Sequence, residues 1–219
     1  MKRFFVVVAV FFALGMLISC SDRERPNVDT SKERVPTRLK TPEELMAWQG
    51  PGIKKFEVWK SLDLKKQTGS GFRKSLRRSG CEVTSWAKSI LGEAVVKRDT
   101  SVNLVLVSVS DLGFPNGAST DYEIISAAGQ CGLTVCPASV GPALRLAYTD
   151  QPKDDQIQIG MEPIVGLYGN WLKFQLGSGD NGKMQLHASH VGPMITIDKD
   201  SYPLHGTVFP TERFVFMKQ

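Results

Sequence analysis

The chain has 219 residues, 42% of them hydrophobic and 22% charged, with 27 Lys and Arg against 22 Asp and Glu for a formal net charge of +5. So mild a surplus gives no support for nucleic-acid binding, which would show as a concentrated basic stripe, and no nucleic-acid partner is expected. The length fits one domain of ordinary size behind a leader and a tether.

The first twenty residues, MKRFFVVVAVFFALGMLISC, open with Lys2 and Arg3, run apolar from Phe4 to Ile18 and place a small residue before Cys20. This is the layout of a secretory signal, and the run falls short of the roughly 20 apolar residues of a comfortable membrane span. Leu17, Ile18, Ser19 and Cys20 resemble the lipobox of bacterial lipoproteins. That resemblance, confined to this segment, implies cleavage before Cys20 and a diacylglycerol thioether on its sulfur. Several acyl chains, palmitate among them, at about 0.8 kcal/mol per buried CH₂ make such attachment effectively permanent. An uncleaved anchor helix and an ordinary signal peptide are the alternatives, and all three place the remainder outside the cytoplasm. The resemblance thus implies a membrane-anchored chain facing the periplasm or the cell exterior. Ser21 lacks the aspartate associated with inner-membrane retention in some Gram-negative lipoproteins, which favours the outer membrane where one exists. Without residues 1–19, which contain Lys2 and Arg3, 25 basic residues stand against 22 acidic ones, a net of +3.

Residues 21–40, SDRERPNVDTSKERVPTRLK, have almost nothing apolar to bury and read as a disordered tether. TPEELMAWQG then predicts a short helix, with Thr41 as N-cap, Pro42 at the first position, Glu44 closing a capping box and Gly50 as terminator. Alternation through Phe56, Val58 and Leu62 predicts a half-buried strand. A helix opening at Ser70 follows, with Phe72 and Leu76 on one face, Arg73, Lys74, Arg77 and Arg78 on the others and Gly80 as the stop; these charges suit a solvated face, anionic lipid or an acidic partner. VTSWAKSIL predicts a second helix with Trp86 and Ile90 sharing a face. The run Val102, Leu104, Val105, Leu106, Val107, Val109 predicts a central strand buried on both sides. STDYEIISAAGQCG predicts a helix capped by Ser119 or Thr120 and closed near Gly132, and Leu133 to Val135 a brief strand.

Beyond Tyr148 the runs DQIQIGMEPIVGLYG, NWLKFQLGS, KMQLHASHV and RFVFMK alternate and are divided by Gly, Asp, Asn and Pro. The fold class is α+β: short helices with a central buried strand in the first half, mostly antiparallel strands in the second. The organisation is a signal peptide over 1–19, a lipidated cysteine and tether over 20–40, and a single α+β domain over 41–219.

Three constellations bear on chemistry. A cysteine nucleophile requires a thiolate, a histidine base and an orienting group; Cys136 is the candidate, with His187, His190 or His205 as base. Its surroundings, apolar LTV before and Pro137 after, offer no local activation. A bridge between Cys131 and Cys136 requires a turn, because an extended GLTV holds their Cα atoms roughly 16 Å apart. His187 and His190 would diverge on a strand, so no metal site is assigned, and no phosphate loop, nucleophile elbow or dinucleotide fingerprint implies a cofactor. Of the carboxylates, Asp154, Asp155, Asp198 and Asp200 sit in turn contexts, whereas Glu162 ends an apolar strand and is positioned to pair with Arg145.

GLTVCPASVGPALRLAYTDQP, followed by IGMEPI and preceded by TSWAKSIL and VNLVLVSVSDLGFPNGAS, resembles a family of uncharacterised bacterial proteins. Its members carry a similar series of Leu-Cys-Pro, Val-Gly-Pro, Leu-Arg-Leu, Tyr and Asp-Gln-Pro and end in a comparable Arg-Phe-Val-Phe. The resemblance spans roughly Phe56 to Lys218 and implies no activity, cofactor or fold. This chain departs from the series in its lipoprotein front end and at Ala143 and Ala147, where members have polar residues.

Read physically, Pro137, Gly141 and Pro142 make a rigid corner, after which Leu144, Leu146 and Tyr148 alternate with Arg145 and Ala147 as a strand. Arg145, Tyr148, Asp150 and Glu162 are the candidate ligand-binding residues. The leading expectation is a lipid-anchored binding or interaction module with an unknown protein or small-molecule partner; the alternative is a small hydrolase or transferase using Cys136 or the C-terminal histidines.

Overall fold

A computed structural model describes residues 55–118, 120–179, 181–191 and 208–219, all within one compact unit, Leu39–Gln219. Cys20, the tether, the helix expected over 41–50 and His205 lie outside the described residues. The strands are β1 (Lys60–Leu64), β2 (Glu82–Val83), β3 (Thr100–Ser108), β4 (Leu133–Thr134), β5 (Ile157–Ile159), β6 (Ile164–Val165), β7 (Trp171–Ser178), β8 (Met184–His190) and β9 (Arg213–Lys218). The helices are α1 (Gly69–Arg78), α2 (Ser85–Ile90), α3 (Asp121–Gln130) and α4 (Val140–Ala147).

The nine strands form one mixed, mostly antiparallel sheet in the order β1-β3-β9-β5-β7-β8-β2, with β4 beside β9 and β6 beside β7. The fold is α+β, as the sequence predicts. Because side chains alternate across a strand, β3 divides its apolar run between two cores. Leu104 joins α1, α2 and α4 on one face, while Val105 and Val107 join α3 on the other. β9 does the same with Val215 against Phe214 and Phe216. The predicted burial of β3 on both sides therefore holds, although β3 lies next to the edge strand β1.

Local chemistry sets most boundaries. Thr68, two residues before the expected Ser70, caps α1 by accepting from Gly71 N, and Phe72 and Leu76 are buried. Thr120 and Glu123 form a full capping box on α3. α2 carries Trp86 and Ile90 four residues apart; Ile90 is buried, while Trp86 is half-exposed with its ring edge-on to His190 at 4.2 Å. Two expectations need correction. First, β1 begins at Lys60 and buries Leu62 and Leu64, whereas Val58 is exposed and Phe56 packs on the second core.

Second, residues 140–147 are a helix and not a strand. Pro142 sits in the first turn, where a helix needs no N–H, and Val140 and Leu144, four apart, are both fully buried. Gly141 lets α4 reach the sheet: a Cβ there would lie 2.7 Å from Phe174 Cβ.

Candidate functional site

Arg145 is 0% exposed, unlike most arginines. Its guanidinium donates to Gln151 Oε1 and the Tyr148 carbonyl, and through Nη2 to Met184 Sδ at 3.2 Å. Gln151 in turn donates to the Asp155 carbonyl at 2.9 Å, and the Asp155 carboxylate pairs with Arg213. Burial lowers the guanidinium's pKa from its ordinary value, opposed by Cys81 and Tyr148. These bonds tie the end of α4 to the following loop and to β8, which is a clamp within the fold. Tyr148 meets Trp59 edge-on at 5.2 Å, with Lys60 Nζ 5.1 Å above its ring. Asp150 and Glu162 are exposed. Glu162 lines a different cavity, so neither the expected Arg145–Glu162 pair nor a joint site of the four residues forms.

That cavity is a cleft of about 890 Å³. One wall comes from Val135 to Ala138, held to the sheet where Cys136 N donates to the Gly160 carbonyl at 2.7 Å. The other wall is Glu162 to Val165 with Trp171, and Glu93 also lines the cleft. Cys136 contributes little: it is 3% exposed, its thiol donates to the Val215 carbonyl at 3.5 Å, and burial pushes its pKa up to about 12. A thiol so placed is neutral at physiological pH and does not supply the thiolate of covalent catalysis. Cys131 belongs to the second core and Cys136 to the first, on opposite faces of the sheet and out of reach of a mutual disulfide.

The histidines diverge along β8 as the strand reading predicts. His190 meets Trp86 and lies 3.5 Å from Asn170 Nδ2, while His187 points to the other face, where burial lowers its pKa. Among the described residues no group of three or more His, Cys, Asp or Glu is placed to hold a metal ion.

The feature that sequence reasoning missed adjoins the cleft. β6 and β7 form a hairpin in which Val165 pairs with Trp171 and Gly166 N donates to the Asn170 carbonyl at 2.7 Å. Gly169 N donates back to the Gly166 carbonyl at 3.0 Å, and Gly169 adopts φ +77°, which suits glycine. Leu167 and Tyr168 therefore occupy the two central turn positions, 80% and 86% exposed. Turns normally carry Gly, Asn, Asp, Ser or Pro there. Leu167 and Tyr168 cap a hairpin whose half-exposed Val165 and Trp171 line the cleft, so the hairpin carries four exposed apolar residues next to it. Its sequence signal is IVGLYGNW, which places large apolar residues on both sides of the turn glycines.

No family model, no curated protein and no solved structure matches the chain.

Proposed function

We propose that this chain is a lipid-anchored extracytoplasmic protein whose folded body is a docking module for an extended partner segment carrying apolar anchors and a Lys or Arg. The signal-like leader and Leu17–Cys20 support the anchor. A tether of about 20 residues would let the body reach at most about 70 Å from the lipid. The single observation that carries the docking reading is the apolar tip, Leu167 and Tyr168, on the hairpin whose Val165 and Trp171 line the cleft. Burying each large apolar side chain is worth about 1.5–3 kcal/mol before the entropic cost of association. Glu93 and Glu162 bring negative charge to the same cleft and favour a basic group on the partner.

Two measurements test this reading. Mass spectrometry of the membrane fraction should find a chain beginning at an acylated Cys20, and an intact Met1 start overturns the anchor. A panel of random ten-residue peptides should yield binders with apolar positions and Lys or Arg. Replacing Glu93 and Glu162 by Gln should remove the preference for the basic residue, and binders without apolar positions contradict the reading.

A further inference from the structure

Between α1 and α2 lies a second cavity, of about 730 Å³, lined on the α1 side by Ser70, Arg73, Lys74 and Arg77 and on the α2 side by Lys88. Arg73 and Arg77 are four residues apart on one helical face, and Arg73 Nη2 reaches across the gap to the Lys88 carbonyl at 3.4 Å, which sets the two helices' cations around one space. Among the described residues no ion pair involves Arg73, Lys74, Arg77 or Lys88, although ion pairs form elsewhere, as between Lys65 and Asp99. The one carboxylate in the lining, Glu82, is already engaged: it accepts from Asn181 at 2.9 Å and Gln185 at 2.7 Å, with Lys183 at 3.6 Å. Four cations facing one cavity repel one another unless an anion lies between them, and the concave wall concentrates their field on whatever enters.

We propose that this cavity binds a phosphate-bearing anion, with Arg73 and Arg77 contacting the phosphate oxygens through their guanidinium forks and Lys74 and Lys88 neutralising the remaining charge. Arginine forks match phosphate geometry in a way that a point charge does not, and the Ser70 hydroxyl adds a neutral donor at one end. Phosphate of this kind comes either from a lipid headgroup or from a soluble phosphate. The cavity shares no lining residue with the cleft of the docking reading and is argued independently of it.

The test is calorimetric titration of the full-length chain in nonionic detergent with three probes: inorganic phosphate, glycerol 3-phosphate and hexaglutamate. Binding of one or both phosphates, weakened by added salt and lowered about tenfold or more by Arg73→Gln with Arg77→Gln, is the expected result. Lys97→Gln, an exposed cation outside the cavity, should leave it unchanged. If the double variant unfolds, Lys88→Gln on α2 provides the same reading. Preference for glycerol 3-phosphate identifies a lipid headgroup as the source, and equal affinity for both identifies soluble phosphate. Tighter binding of hexaglutamate, or phosphate binding that the variants do not change, or no binding at all, overturns the proposal.

Discussion

The guanidinium of Arg145 donates to the backbone carbonyl of Tyr148, three residues further on, and so closes the C-terminal end of α4 from within the core. The same group holds Gln151 and Met184, which makes it a junction of helix, loop and strand.

Removing that junction should therefore cost stability. Arg145→Leu leaves the half-buried Gln151 Oε1 and Tyr148 carbonyl without their donor, and we expect a loss of about 1–3 kcal/mol in urea unfolding. Glu162→Gln, on an exposed side chain, should stay within about 0.5 kcal/mol. Equal losses would show that Arg145 is not the clamp its bonds describe.

The contact between α4 and the sheet is tight enough to test by a single methyl. Gly141→Ala would favour the helix by propensity, by about 1 kcal/mol. The added carbon, however, meets Phe174 Cβ at 2.7 Å and the ring atoms at 2.8 Å, and Cβ is held close to the backbone. Overpacking should win, with a net destabilisation of about 1–3 kcal/mol that Phe174→Leu partly relieves. A stabilised Gly141→Ala variant would contradict the packing of α4.

Cys136 should be silent in the native chain. Iodoacetamide at pH 8 should leave it unmodified until urea is added. Its folded pKa, raised from 9.0 to about 12 by burial, also gives a sign to the pH dependence. The neutral thiol contributes its full stability below pH 9, and that contribution is lost as pH rises from 9 towards 12. The unfolding free energy of the native chain should fall relative to Cys136→Ala by up to about 1.4 kcal/mol per pH unit in that window. Native-state alkylation at pH 8 would restore Cys136 as a reactive thiol.

Legibility in the sequence followed the range of the interactions that decide each element. The cap of α3 at Thr120 and the alternation of β7, β8 and β9 rest on neighbours a few residues apart, so they could be read directly, whereas α1 is capped by Thr68 and not by the expected Ser70. The helix α4 could not, because over eight residues Leu144 and Leu146 fit a strand as well as Val140 and Leu144 fit a helix. Only packing of Gly141 on Phe174, 33 positions away, separates the two readings. Arg145 is a candidate ligand-binding residue in the sequence, whereas its structural role involves Met184, 39 residues distant. The cleft of Cys136 and Glu162 is assembled from the segment after β4, from β6 and from single residues of β7 and β9, and nothing local announces it. Leu167 and Tyr168 were hidden for the opposite reason: apolar residues beside glycine look like a continuing strand, and only the turn geometry shows that they face outward.

The central claim is that the apolar tip serves a partner and not the fold, and one paired measurement on Leu167→Ser with Tyr168→Ser tests it most directly. Side chains 80% and 86% exposed support little internal packing, so the variant should unfold within about 0.5 kcal/mol of the native chain. Its affinity for the apolar, basic peptides selected by the native chain should fall about tenfold or more, as expected when two anchors are lost. Unchanged peptide affinity, or a large loss of stability in the same variant, would contradict the account.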